Sequence, residues 1–91
     1  MEEYQAAITS FESFLKENPA THHREDIVNY MVLTYCKYAE KSVAEKQRER
    51  YELALEKYNT LIYVFPESKY IKELEPVIEK VKSELSNIKT K

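Results

Sequence analysis

Apolar residues recur along this chain at steps of three and four, and four runs carry that spacing. In the first, Tyr4, Ala7, Ile8, Phe11, Phe14 and Leu15 fall on one stripe of a 3.6-residue helix. Asn18-Pro19 ends it, because a residue before proline is pushed out of the helical region. A second run begins near Thr21, which is placed to cap it, with Glu25 and Asp26 in the opening turns where the helix dipole favours negative charge. It extends to about Lys41. Its apolar set (Ile27, Val28, Tyr30, Met31, Val32, Leu33, Tyr35, Cys36, Tyr38, Ala39) is broader than one stripe, which predicts a central helix with neighbours on several sides.

The stretch KSVAEKQRER loses the apolar period and reads as a connection, with Ser42 a cap, running into a third helix. That helix carries Tyr51, Ala54, Leu55, Tyr58, Leu61, Ile62 and Phe65 and ends at Pro66. Ser68 is placed to cap a fourth, with the stripe Tyr70, Ile71, Leu74, Val77, Ile78, Val81, Leu85 and Ile88. Pro76 lies inside it. A proline there removes one hydrogen bond and crowds the carbonyl four residues back, so the reading predicts a bend or a break between about Lys72 and Pro76.

Composition narrows the picture. The 91 residues are 43% apolar and 33% charged, enough for one small domain, or part of a larger one, that hides about 60 to 65% of its unfolded surface. Glycine is absent, which rules out Gly-rich phosphate-cradling loops and disfavours tight hairpins that need positive φ. A Gly-free chain rich in Glu, Lys, Ala, Leu and Tyr fits an all-α fold of about four helices. The net charge of −2 leaves no cationic excess for a nucleic acid backbone. No apolar run is long enough to span a bilayer, and MEEYQAAITSF lacks the features of a secretory signal. One cysteine, Cys36, excludes an internal disulfide.

The first and third runs repeat one another. A shift of 47 residues places Tyr4 on Tyr51, Ala7 on Ala54, Ile8 on Leu55, Phe11 on Tyr58, Phe14 on Leu61, Leu15 on Ile62 and Pro19 on Pro66. The paired alanines and aromatics have a packing logic: the small residue lets a neighbouring backbone approach while the ring fills the space beside it. The spacing Ala7, Phe11, Phe14, Pro19, and again Ala54, Tyr58, Leu61, Pro66, resembles the second helix of the tetratricopeptide repeat. Phe14 and Leu61 stand where that family usually has alanine, and 47 residues exceed its usual 34. The resemblance implies an antiparallel helical superhelix. Residues 1–20 would be the second half of a truncated repeat, 21–67 a complete long repeat, and 68–91 a C-terminal capping helix.

At finer grain, YQAAITSFESFLKENPAT, YCKYAEKSVAEKQRERYELALEKYNTLI and FPESKYIKE resemble the C-terminal part of the BamD family of outer-membrane assembly lipoproteins, in its Bacteroides-like form. The resemblance covers nearly the whole chain through structural rather than chemical residues. It implies a periplasmic scaffold, anchored by a lipidated cysteine, that docks a BamA-like barrel-assembly protein and helps deliver unfolded outer-membrane proteins. No lipid-acceptor cysteine stands near residue 1, so the segment is expected to be a piece cut downstream of the anchor. Two other readings stay open: a repeat adaptor binding an extended peptide in a cytosolic complex, and a regulatory helical appendage of an enzyme.

Residues with chemical potential have bland alternatives here. His22 and His23, beside Glu25 and Asp26, are adjacent, and adjacent helical residues point about 100° apart, so a solvated first turn is expected rather than a metal site. Cys36 lies about 20 Å along a helix from His23 and is read as a small buried residue. Tyr4, Tyr51, Tyr58 and Tyr70 are assigned to the core, with Tyr38 and Tyr63 left open. Lys46, Arg48 and Arg50 alternate with Glu45, Glu49 and Glu52, which predicts a solvated face with an Arg48–Glu52 ion pair. No acid pair sits in an apolar context suited to acid–base work. The expectation is a non-enzymatic protein-binding scaffold without cofactor or metal. It would not itself enter a membrane, and the outer apolar face of its first helix would favour self-association.

Overall fold

A computed structural model describes residues 2–88. Four helices follow in order: α1 (Glu2–Glu17), α2 (Arg24–Glu40), α3 (Ala44–Val64) and α4 (Lys69–Asn87), with no strand among the described residues. The all-helical expectation holds. α2 is central, packing most extensively on α3, then on α1, and touching α4, while α3 packs on α4. Its breadth of apolar residues reflects these neighbours: Val28, Met31, Val32, Tyr35, Cys36, Tyr38 and Ala39 are all buried. Ile8 joins them from α1, Tyr51, Ala54 and Leu61 from α3, and Leu74, Ile78 and Val81 from α4.

Several boundaries differ from the sequence reading. Regular helix in α2 begins at Arg24, not near Thr21, although the Thr21 hydroxyl does accept from the His23 N–H at 3.1 Å. Most of KSVAEKQRER is helix rather than connection, since α3 starts at Ala44 after an extended Val43. Ala, Glu, Lys, Gln and Arg are strong helix formers, so the missing apolar period reported exposure of this turn and not loss of helix. Ser42 caps nothing. It is buried between helices, donating to the Tyr38 carbonyl at 2.5 Å and accepting from Arg50 Nη1 at 2.6 Å. Ser68 caps α4 as expected, taking the Tyr70 N–H at 3.1 Å.

Of the bend or break expected between about Lys72 and Pro76, the break does not occur, and α4 runs through Pro76 as one helix. Lys72 and Pro76 are both exposed, so the carbonyl deprived of its helical partner can be solvated. Phe14 and Ile62, placed in the core from their phase, are each 39% exposed.

The duplication extends beyond the helices that revealed it. In the α1–α2 turn, Asn18 N donates to Phe14 O, Thr21 N to Asn18 O, and His23 N to Thr21 Oγ1. In the α3–α4 turn, Phe65 N donates to Leu61 O, Ser68 N to Phe65 O, and Tyr70 N to Ser68 Oγ. Each bond is its counterpart displaced by 47 positions. The repeated unit is therefore the hairpin, with α4 the counterpart of α2 as α3 is of α1. Burial differs between copies for a geometric reason: among the described residues α3 is flanked by α2 and α4, whereas α1 packs on α2. Thus Leu61 is fully buried while Phe14 is not.

Candidate protein-binding surface

Two aromatic pairs tie α1 to α2. Tyr4 stacks on Tyr38 with centroids 6.1 Å apart, and Phe11 on Tyr30 at 6.3 Å with the planes 17° from parallel. Both pairs follow from the antiparallel hairpin, which sets residue 4 against 38 and 11 against 30. Tyr38 also donates from its hydroxyl to Gln5 Oε1 at 3.2 Å, and its ring lies under the Arg50 guanidinium.

The outer end of this hairpin holds a groove of about 490 Å³. Phe11 and Phe14 from α1 and Ile27 and Tyr30 from α2 give it apolar walls, with Ser10, His23 and Asp26 on its rim. Tyr30 is 53% exposed, so the Phe11–Tyr30 stack is open to solvent on this side. Asp26 is held from behind by the Tyr70 hydroxyl at 2.5 Å, a bond that joins α2 to α4. A second, shallower depression of about 510 Å³ runs along α3 beside Leu55 and Tyr63, edged by Glu52 and Glu56.

The buried titratable groups favour their neutral forms. Burial first, then the charges of Glu12 and Glu56, pushes the Tyr35 phenol up to about 12. The hydrogen bond to Asp26, followed by desolvation, raises Tyr70 to about 12. Tyr51 and Tyr58 are raised mainly by burial. Burial, then Glu40, raises the Cys36 thiol to about 11, the reverse of what a nucleophile needs.

The residues weighed for chemistry are dispersed. His22 and His23 lie side by side in an exposed turn, ring centroids 4.2 Å apart and planes tilted by 41°. Among the described residues no group of three or more His, Cys, Asp or Glu side chains converges as a metal site would require. Arg48 pairs with Glu52 at 3.6 Å, as its spacing predicts. Arg50 departs from the solvated-face reading, since it is half-buried and cross-links α3 to α2. Of the two tyrosines left open, Tyr38 is buried and Tyr63 is 88% exposed. Sequence reasoning expected an outer apolar face on the first helix but did not locate the groove, because Phe11 and Phe14 have faultless core phase; Tyr30 and Leu33, outside any single stripe of α2, were a further signal.

Repeated helical hairpins that expose apolar grooves and keep their ionisable core groups neutral define a helical-repeat scaffold. The model of the YfiO family, described as outer membrane lipoprotein, matches residues 1–90, and the chain belongs to that BamD-like family. A comparison with curated proteins finds no match. Among the described residues no helix is long and apolar enough to cross a membrane.

Proposed function

We propose that this chain is the C-terminal, tetratricopeptide-like part of a BamD-like scaffold that works at the periplasmic face of the outer membrane. There it helps dock a BamA-like barrel-assembly protein and deliver unfolded barrel proteins for insertion. The observation that carries this reading is the family match along residues 1–90 of a chain whose surfaces are built for binding. Its likeness in wording to the Bacteroides-like form supports membership of that branch. Residues 1–20 act as the second half of one repeat, 21–67 as a complete repeat and 68–91 as the cap. The α2 stripe Val28, Val32, Tyr35 and Ala39 runs at helical spacing and is buried throughout. Its counterparts on α4, Glu75, Glu79, Lys82 and Ser86, are polar and exposed, which suits the end of a stack.

The test uses the full-length protein, tagged in its own bacterium. Recovery of a BamA-like barrel protein from solubilised outer membranes, and loss of outer-membrane barrel proteins on depletion, are the expected results. A cytosolic location with an unrelated peptide-bearing partner would instead support the adaptor alternative and overturn this one.

A further inference from the structure

We propose that the outer face of α3 docks a basic amphipathic helix of a partner protein, which lays an apolar side chain on Tyr63 and runs lysines or arginines along Glu45, Glu49, Glu52 and Glu56. Two features meet there. At the end of α3, Ile62, Tyr63 and Val64 are consecutive apolar residues and all are exposed, Tyr63 by 88%. An exposed run of this kind marks a surface that binds something. Beside it lies the depression of about 510 Å³, where Leu55 and Tyr63 are flanked by Glu52 and Glu56.

The internal duplication serves as a control on this face. Displaced by 47 positions, Tyr63 and Val64 fall on Lys16 and Glu17 of α1, and Glu52 and Glu56 fall on Gln5 and Thr9. Both copies build the same hairpin, so packing within the repeat does not call for these residues on α3. Stacking of further repeats does not call for them either. Among the described residues α1 touches neither α3 nor α4, so a hairpin stacked after α4 in the same register stands clear of α3. A helix stacked before α1 in that register meets α1 and α2, as α2 meets α3 and α4.

Charge decides the occupant. Glu45, Glu49, Glu52 and Glu56 follow one another at steps of four, three and four, which sets them along one side of α3 at about one per turn, and all four are exposed. Arg48 pairs with Glu52 on the flank where it also donates to the Ile88 carbonyl. Lys46, Arg50 and Lys57 project from a different side of the helix, Arg50 towards α2. A partner helix with Lys or Arg at the same steps brings a cation to an acid at each turn. A second copy of this chain fits less well. Its lysine stripe on α4, Lys69, Lys72 and Lys80, has Pro76 where the intervening turn needs a cation, and Lys80 is engaged by Glu40 at 3.4 Å. The inference does not rest on the assembly role above.

The probe is a synthetic Ala-rich helix of about 20 residues with lysines at steps of three and four on one face and leucines beside them. The same peptide with Glu for each Lys is its control. Added to the isotope-labelled chain, the basic peptide is expected to bind saturably and shift the amide signals of Glu52, Glu56, Asn59 and Tyr63, and the acidic one to leave them in place. Tyr63→Ser, and separately Glu52→Gln with Glu56→Gln, should each weaken binding about tenfold or more while leaving the helical spectrum intact, since all three side chains are exposed. Glu67→Gln with Glu73→Gln removes the same charge from other exposed positions and should change binding by less than about twofold. Four results would overturn the proposal: no binding up to about 1 mM, equal weakening by the two double variants, binding indifferent to Tyr63→Ser, or self-association of the peptide-free chain through the Tyr63 face, which would assign that face to a second copy.

Discussion

Arg50 lies over the ring of Tyr38, its Cζ 3.9 Å from the centroid, while its Nη1 reaches the Ser42 hydroxyl at 2.6 Å. Because Tyr38 also stacks on Tyr4, one buried ring joins three helices. Arg50→Ala should cost about 1–2 kcal/mol in urea unfolding, from the lost cation–π contact and a buried hydroxyl left one partner short. Arg50→Lys should recover only part of that, since a lysine cannot reproduce both contacts in one plane. Equal stability of wild type and Arg50→Ala would show that the contact contributes nothing.

Counterpart residues should behave differently. Leu61→Ala, at a fully buried site, is expected to cost about 2–5 kcal/mol, and Tyr58→Ala a comparable amount. Phe14→Ala, at the exposed counterpart of Leu61, should cost less than about 1 kcal/mol. Thermal unfolding of the variants side by side checks this. A Phe14→Ala loss as large as that of Leu61→Ala would mean the α1 face is already covered in solution.

Pro76→Ala should stabilise the chain by about 1–2 kcal/mol. It restores the hydrogen bond to the Lys72 carbonyl and removes the ring clash, while the freer unfolded chain offsets part of the gain. A lower melting temperature for this variant would show that α4 relies on the proline.

Stability should fall at alkaline pH. The folded values of Tyr35 and Tyr70 are raised to about 12, above the ordinary phenol value near 10. For a raised group the stabilisation is fully present below about pH 10 and is lost as pH climbs through about 12. Ultraviolet titration of tyrosinate should show these rings ionising late and together with unfolding. Tyr70→Phe should remove one late component, and Asp26→Asn should bring Tyr70 down towards its ordinary value. An Asp26→Asn titration identical to wild type would contradict the assigned cause.

Cys36 should resist alkylation in the folded chain. With its thiol raised to about 11 and its side chain buried, reaction with iodoacetamide at pH 8 should require unfolding and track denaturant concentration. Rapid labelling of the native chain would mean that α2 opens locally.

Helix number, order and the 47-residue displacement were legible in the chain, because they depend on local spacing: Tyr4 to Leu15 and Tyr51 to Ile62 carry one phase, and Pro19, Pro66 and Ser68 punctuate it. The start of α3 was not legible, since its first turns bury little and so leave no apolar signature to read. Arg50 looked like one more surface charge because nothing local announces that Tyr38 and Ser42 lie opposite.

What this chain's residues determined unaided was periodicity, and with it which side of each helix prefers to leave water. Tertiary structure alone decided which of those sides found a neighbour. Phe14 and Leu61 have the same local surroundings in sequence, yet α2 closes over one and leaves the other at the mouth of a groove, because hydrophobic burial depends on what a surface meets and not on the surface itself.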